Sequence, residues 1–151
     1  MLQIGNQIPE FEGVNQDGVA VKSSDFLGKK LVIFFYPQAS TPTCTVEACN
    51  IRDHYTSLVD AGFQILGISG DGVQKQKKFH EKHEFPYQLI ADENHEIIEK
   101  FGVLKEKKNF GKVYMGTVRT TFIFDEKGVC TRVIEKVTSK TAAGQILENS
   151  L

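Results

Sequence analysis

From Lys30 to Tyr36 the chain reads Lys-Leu-Val-Ile-Phe-Phe-Tyr, a run of β-branched and aromatic residues with no polar position after the first. Such a run suits a strand buried on both faces, and Pro37 ends it. Gln64 to Ser69 predicts a second core strand of the same kind. Between the two, the apolar period changes. From about Pro42 to Ala61, the residues Cys44, Ala48, Ile51, Tyr55 and Leu58 recur at steps of four, three, four and three, which places them on one face of a helix. Gly62 supplies a C-terminal stop. Strand, helix and strand in this order call for a right-handed parallel crossover.

The flanking pattern extends this unit. Phe11 to Val21 has Asp17-Gly18 between apolar positions and predicts an N-terminal hairpin. Val73 to His83 predicts a polar, exposed helix, Tyr87 to Ala91 a short strand after Pro86, and Asn94 to Phe101 a helix stopped by Gly102. The charged, glycine-containing stretch Lys105 to Gly116 is expected as a loop. Thr120 to Phe124 and Val129 to Val137 predict a hairpin around Glu126-Lys127-Gly128, and Ser139 is expected to cap a final helix running to about Asn149. No repeat, low-complexity segment or linker interrupts the chain. The expectation is one α/β domain over residues 1–151, with a central mixed sheet flanked by helices.

Composition narrows the function classes. A chain of 151 residues can bury a substantial core. With 40% hydrophobic and 25% charged residues, it falls outside the disordered and fibrous classes. Eighteen basic against 19 acidic residues give a formal net charge of −1, so there is no electrostatic basis for a nucleic-acid partner. The longest apolar run, Leu31 to Tyr36, is far too short to span a bilayer. Met1 to Asn6 lacks the positive region and apolar stretch of a secretory signal. A cytoplasmic protein is expected.

Three cysteines, Cys44, Cys49 and Cys130, do not make the disulfide framework of a secreted domain, and their odd number leaves one unpaired within a chain. Each alone fits a small buried hydrophobe. Two of them beside a Thr-Pro turn point to chemistry. Between Tyr36 and Cys49, a buried strand delivers the chain to a loop that opens a helix. Thr41 stands at the N-cap, and Pro42 has the fixed φ suited to the first helical position. Cys44 then falls in the first turn, where unpaired backbone N–H groups and the positive end of the helix dipole favour an anion, and so a thiolate nucleophile. Cys49 lies about 7.5 Å further along the helix and is rotated by about 140°. A Cα separation of roughly 8 to 9 Å exceeds disulfide reach, so a bond between the pair requires the first turns to unwind. The Cys-x-x-Cys spacing of a dithiol oxidoreductase is absent. Four intervening residues fit a division of labour in which one cysteine is oxidised first and the other arrives to resolve it.

These residues carry a family resemblance. Pro37, Thr41 and Cys44 match the Pro-x-x-x-Thr-x-x-Cys signature of peroxiredoxins. With Cys49, the pattern is similar to the subgroup called bacterioferritin comigratory protein, or peroxiredoxin Q; Thr43 stands where many relatives carry Gly. The resemblance extends over most of the chain, including Leu66 to Ser69, Ala91 to Glu93, Phe101 to Val103 and Arg119 to Asp125. It implies a thioredoxin-like fold and a thiol peroxidase acting on hydrogen peroxide and organic hydroperoxides. Cys44 would be the peroxidatic cysteine and Cys49 the resolving one, with thioredoxin as reductant. Thr41 would hydrogen-bond the peroxide, Arg119 would hold the thiolate and substrate oxygens, and Pro37 would shield the pocket. The implied chemistry needs no metal, haem or flavin cofactor. A resolving cysteine in the same chain removes the need for a partner subunit, so a monomer is expected.

Other signals carry less. His80 and His83 share a helix face but lack a third ligand at metal spacing. Cys130, in the last hairpin, is expected as a structural cysteine. Two competing functions remain: a general disulfide oxidoreductase, which the spacing of Cys44 and Cys49 opposes, and a redox-sensing or chaperone-like binding protein using the same pair as a switch. Multiple turnovers of peroxide separate the peroxidase from both.

Overall fold

The computed structural model describes residues 1–148. At its centre lies β3 (Lys30–Phe35). Leu31, Ile33 and Phe35 project to one side of the sheet and Val32 and Phe34 to the other, each at most 2% exposed. Burial on both faces explains why this strand reads as an unbroken apolar run; each large side chain so buried stabilises the fold by about 2 kcal/mol.

Parallel pairing joins β3 to β4 (Phe63–Ser69), and β4 to β5 (Gln88–Ala91). On its other edge β3 pairs antiparallel with β8 (Thr120–Phe124), which pairs with β9 (Cys130–Ile134). The N-terminal hairpin, β1 (Glu12–Asn15) and β2 (Ala20–Lys22), adds antiparallel to β5. The result is a mixed seven-stranded sheet in the order β2-β1-β5-β4-β3-β8-β9. Gly67 is required inside it, because a Cβ there would lie 2.8 Å from the Phe34 ring and 2.9 Å from Leu89.

Helices cover both faces. On the Val32 and Phe34 side pack α1 (Pro42–Asp53), α2 (Tyr55–Asp60), α3 (Val73–His83) and α5 (Ala142–Leu147), through Cys44, Ala48, Ile51, Leu58, Phe79 and Ile146. The opposite side is covered by α4 (Glu96–Lys100), whose Ile97 and Ile98 join Phe101, Phe122, Phe124 and Cys130. This mixed sheet between helical layers is the thioredoxin-like α/β architecture that the resemblance implied.

Several expectations need correction. The helix expected to run to Ala61 breaks at His54 (φ −109°, ψ 17°), whose ring nitrogen and backbone N–H both meet the Asn50 carbonyl. The helix α3 has the expected bounds but is not wholly exposed, since Gln76 and Phe79 are fully buried. The helix expected from Asn94 begins only at Glu96, after His95 in a left-handed conformation (φ 60°).

The stretch expected as a loop is a second, two-stranded sheet, β6 (Leu104–Asn109) and β7 (Lys112–Thr117). Its turn places both Phe110 (φ 51°) and Gly111 (φ 77°) at positive φ, the geometry of a tight hairpin turn. The signal was hidden because the first turn position is Phe rather than Asn or Gly, and because both faces are wet enough to abolish apolar alternation. Ser139 is not a cap: it opens a short 3-10 turn, Ser139–Thr141, and Thr141 precedes α5. The Asn50 side chain accepts the Ala143 N–H at 2.9 Å, so the N-terminus of α5 is capped from α1. The expected end at Asn149 lies outside the described residues.

Candidate active site

The loop Tyr36 to Thr41 leaves the C-terminal end of β3 and turns into α1. A buried polar network fixes its course. Asp71, just beyond β4, accepts the Ala39 N–H and the Ser69 hydroxyl, each at 2.7 Å through Oδ2. Gln76 of α3 donates to Ser69 Oγ and to the Ile90 carbonyl, both at 2.9 Å, and accepts the Tyr36 hydroxyl at 2.5 Å. Burial pushes the Tyr36 phenol far up, so it remains a donor. With these groups satisfied, the loop can hold Ser40 at φ 65°, a costly conformation for a non-glycine residue.

Thr41 occupies the N-cap with extended backbone (φ −79°, ψ 154°), and Pro42 opens the helix, as expected. The Thr41 hydroxyl makes no cap, however: it donates to the Gln38 carbonyl at 2.8 Å. Pro37 stands partly buried in the same loop. Cys44, 2% exposed, lies in the first turn on the face turned toward the sheet.

Arg119, immediately before β8, reaches this turn from the other side of β3. Its Nη2 donates to Cys44 Sγ at 3.2 Å, and its Nη1 donates to Glu47 Oε1 in a part-buried ion pair. Although burial opposes the guanidinium charge, Glu47 and Cys44 hold Arg119 above its usual range. Glu47 is fully buried, and its second oxygen, Oε2, has no hydrogen-bond partner among the described residues. Burial pushes this carboxyl up to about 7, against the pull of Arg119.

Residue types alone did not single out Glu47. Its position offered a signal, because three residues after Cys44 is the same side of a helix, and a carboxylate on a buried face needs a partner. Asp71 carried no comparable signal; only the adjacency of the β3 and β4 ends brings it to the loop.

Cys49 lies on the same helix as Cys44, partly buried, and all three cysteines are free thiols. Burial raises the Cys49 thiol, with Arg52 acting against that rise. Cys130 is 1% exposed and belongs to the core on the opposite side of the sheet from Cys44. Elsewhere, a ring nitrogen of His80 meets the Tyr87 carbonyl at 3.0 Å and His83 stacks on Phe85, which accounts for both rings structurally.

A helix-start cysteine held by a part-buried arginine, on a thioredoxin-like sheet, is the arrangement expected of a thiol-based redox enzyme. The AhpC/TSA family model matches residues 4–133, and the chain belongs to that family. Within it the chain is a peroxiredoxin of the Bcp, or peroxiredoxin Q, subgroup, an oxidoreductase acting on peroxide. Peroxiredoxin Bcp of Bacillus subtilis (strain 168) is 42% identical over 147 residues, 97% of this chain and 94% of the relative. Peroxidoxin BcpB from Mycobacterium tuberculosis superposes with a TM-score of 0.88 at 33% identity, covering 99% of this chain and 97% of that one. The bacterioferritin comigratory protein of Xanthomonas campestris, described for its alkyl peroxide reduction activity, matches with a TM-score of 0.87 at 30% identity, over 93% of this chain and 89% of its own. Among the described residues, no helix is long and apolar enough to cross a membrane.

Proposed function

We propose that Cys44 is the nucleophile of a two-cysteine peroxidase cycle, resolved by Cys49 and recycled by a thioredoxin-type dithiol. The observation that carries this reading is the 3.2 Å contact between Arg119 Nη2 and Cys44 Sγ at the first turn of α1. There a permanent cation meets a sulfur placed in the first helical turn, where the helix dipole favours an anion. The thiolate attacks the terminal oxygen of a hydroperoxide; the S–O bond forms as the O–O bond breaks. Cys44 becomes a sulfenic acid, and the departing oxygen takes the electron pair and then a solvent proton, leaving as water or an alcohol. Arg119 is aimed at the sulfur and at the charge building on that oxygen. Thr41 lines the approach, and Pro37 limits water access.

In the second step the Cys49 thiol attacks the sulfenic sulfur, expelling water and forming a disulfide. Helical spacing keeps the two Cα atoms roughly 8 to 9 Å apart, so α1 must open at its N-terminal turns. A dithiol then restores both thiols by exchange. With both cysteines on one helix, a single copy of the chain, acting as one domain, can complete the cycle in the cytoplasm. Organic hydroperoxides are included among the substrates, by similarity to the Xanthomonas campestris protein. The test is steady-state consumption of hydrogen peroxide and of cumene hydroperoxide, coupled to thioredoxin, its reductase and NADPH. Repeated turnovers support the proposal; one stoichiometric oxidation without turnover would favour a redox switch instead.

A further inference from the structure

The β6–β7 hairpin carries Lys105, Lys107, Lys108 and Lys112 against the single acid Glu106, in a chain of formal net charge −1. Lys107 is set apart from the other three, which are exposed, by being partly buried. Its Nζ donates to the Thr117 carbonyl at 2.6 Å. Thr117 is 3% exposed and lies two residues before Arg119, so the ammonium sits at the root of the segment that delivers the guanidinium to Cys44. The stem has a prepared course. A Cβ at Gly116 would lie 2.7 Å from Lys107 Cδ and 3.1 Å from Cε, with the Tyr114 ring 3.3 Å away. The missing side chain at Gly116 therefore makes room for the lysine stem.

That placement has an electrostatic consequence. Burial and the neighbouring Arg119 both act against the Lys107 charge, and Cys44 acts in its favour. A cation held in a part-buried position beside a second cation needs a compensating anion nearby. The thiolate is the group that can supply it.

Building on the reading of Cys44 as nucleophile, we infer that Lys107 is a second cation of the peroxide site, adding positive potential at the sulfur and at the oxygen that leaves from it. Arg119 touches the sulfur, whereas Lys107 acts through the field and through the Thr117 carbonyl it holds; it is a positioning residue. Its role differs from that of a brace for the hairpin, because a brace would not depend on charge.

Alkylation of the reduced protein by iodoacetate, which is anionic, and by iodoacetamide, which is neutral, separates the two roles when Cys44 modification is followed by peptide mass spectrometry. Lys107→Met keeps most of the stem and should lower the iodoacetate-to-iodoacetamide rate ratio by about three- to tenfold, the size expected of one part-exposed charge. The rate constant for hydrogen peroxide should fall by a similar factor. Lys107→Arg should hold both quantities near wild type. Gly116→Ala, whose methyl displaces the stem while leaving the lysine in the sequence, should reproduce the loss in part. An unchanged ratio in Lys107→Met, or an equal slowing of both reagents, with Cys44 still the residue oxidised by peroxide, would overturn the inference alone. Oxidation mapped to another cysteine would overturn the nucleophile reading and this inference with it.

Discussion

Cys44 and Cys130 are the same residue type at nearly the same burial, 2% and 1% exposed, on opposite faces of one sheet. Their surroundings differ completely. Cys44 sits at a helix start, receives a hydrogen bond from Arg119 and has the Glu47 carboxyl behind that arginine. Cys130 opens the edge strand β9 in the same core cluster as Phe101, Phe122 and Phe124, and its thiol points at the Arg132 carbonyl, 3.5 Å away. Burial pushes the Cys130 thiol up, against the pull of its backbone hydrogen bond with Arg132. On the proposed reading, burial does not decide which cysteine reacts; the charges and dipoles brought to the sulfur do.

The strongest test of this contrast replaces each cysteine in turn. Cys44→Ser should abolish peroxide turnover, because an alcohol there is no comparable nucleophile near neutral pH. Cys130→Ser should leave turnover within about twofold while lowering thermal stability, since it puts a hydroxyl among phenyl rings. Coupled peroxidase assays and thermal melts of both variants read the outcome; a large activity loss in Cys130→Ser would erase the distinction between the two faces.

Next in size is Arg119→Met, which removes the charge on one side of the contrast. The peroxide rate constant should drop by about a hundredfold or more, as for loss of one donor to developing negative charge. Stopped-flow oxidation with excess peroxide measures it. Stability should suffer as well, because Glu47 would be left buried without its partner.

The two regions should also respond differently to oxidation. A Cys44–Cys49 disulfide must open the start of α1, whereas the sheet around Cys130 has no reason to change. One equivalent of peroxide should reduce amide protection over residues 41 to 52 by about tenfold, with β3 and β9 unaffected. Protection in α5 should fall less, through loss of the Asn50 contact with Ala143. In Cys49→Ser the helix should stay protected after oxidation, with Cys44 held as a sulfenic acid and prone to over-oxidation. Hydrogen exchange on both proteins provides the comparison, and equal protection in the reduced and disulfide forms would rule out the opening step.

The smallest effect concerns pH. The Glu47 carboxyl rises from its ordinary value of 4.5 to about 7 in the fold. Between those values the folded chain binds more protons at Glu47 than the unfolded chain does. Its contribution to stability is therefore full below about 4.5, falls as the pH rises, and levels off above about 7. Glu47→Gln cannot ionise, so the Tm difference, wild type minus variant, should shrink over that window and stay flat beyond it. A difference independent of pH would mean that the carboxyl ionises in the fold as it does in water.

Much of the molecule was legible from the pattern of the chain. The run Leu31 to Tyr36 identified the central strand because a strand covered on both faces has no polar alternation. Asp17-Gly18 located the first hairpin through the backbone preference of its turn. Thr41-Pro42 located the start of α1, and with it Cys44, because helix starts have strong local chemistry. The reading failed in one place because a distant residue had taken over a local role, and in another because a local hairpin carried no apolar period. Ser139 did not cap α5, since Asn50 supplies that bond from α1. Lys105 to Gly116 formed strands through mutual pairing and a Phe110-Gly111 turn, which no apolar period announces.

By itself, then, the sequence determined the sheet's core strands, the helix that presents Cys44 and the spacing that separates Cys44 from Cys49, because each depends on neighbours within a few residues. The resemblance named Arg119 for the sulfur, but only the tertiary structure decided how it reaches Cys44 and that Glu47 stands behind it. Arg119 lies 75 residues from Cys44, and Asp71 lies 32 residues from the Ala39 N–H it holds. Such contacts depend on which strand ends lie side by side, and here β3 is flanked by β4 and β8. Electrostatic influence falls with distance in space, not along the chain, so the group that sets a thiol's chemistry can come from any element the fold brings within a few ångströms.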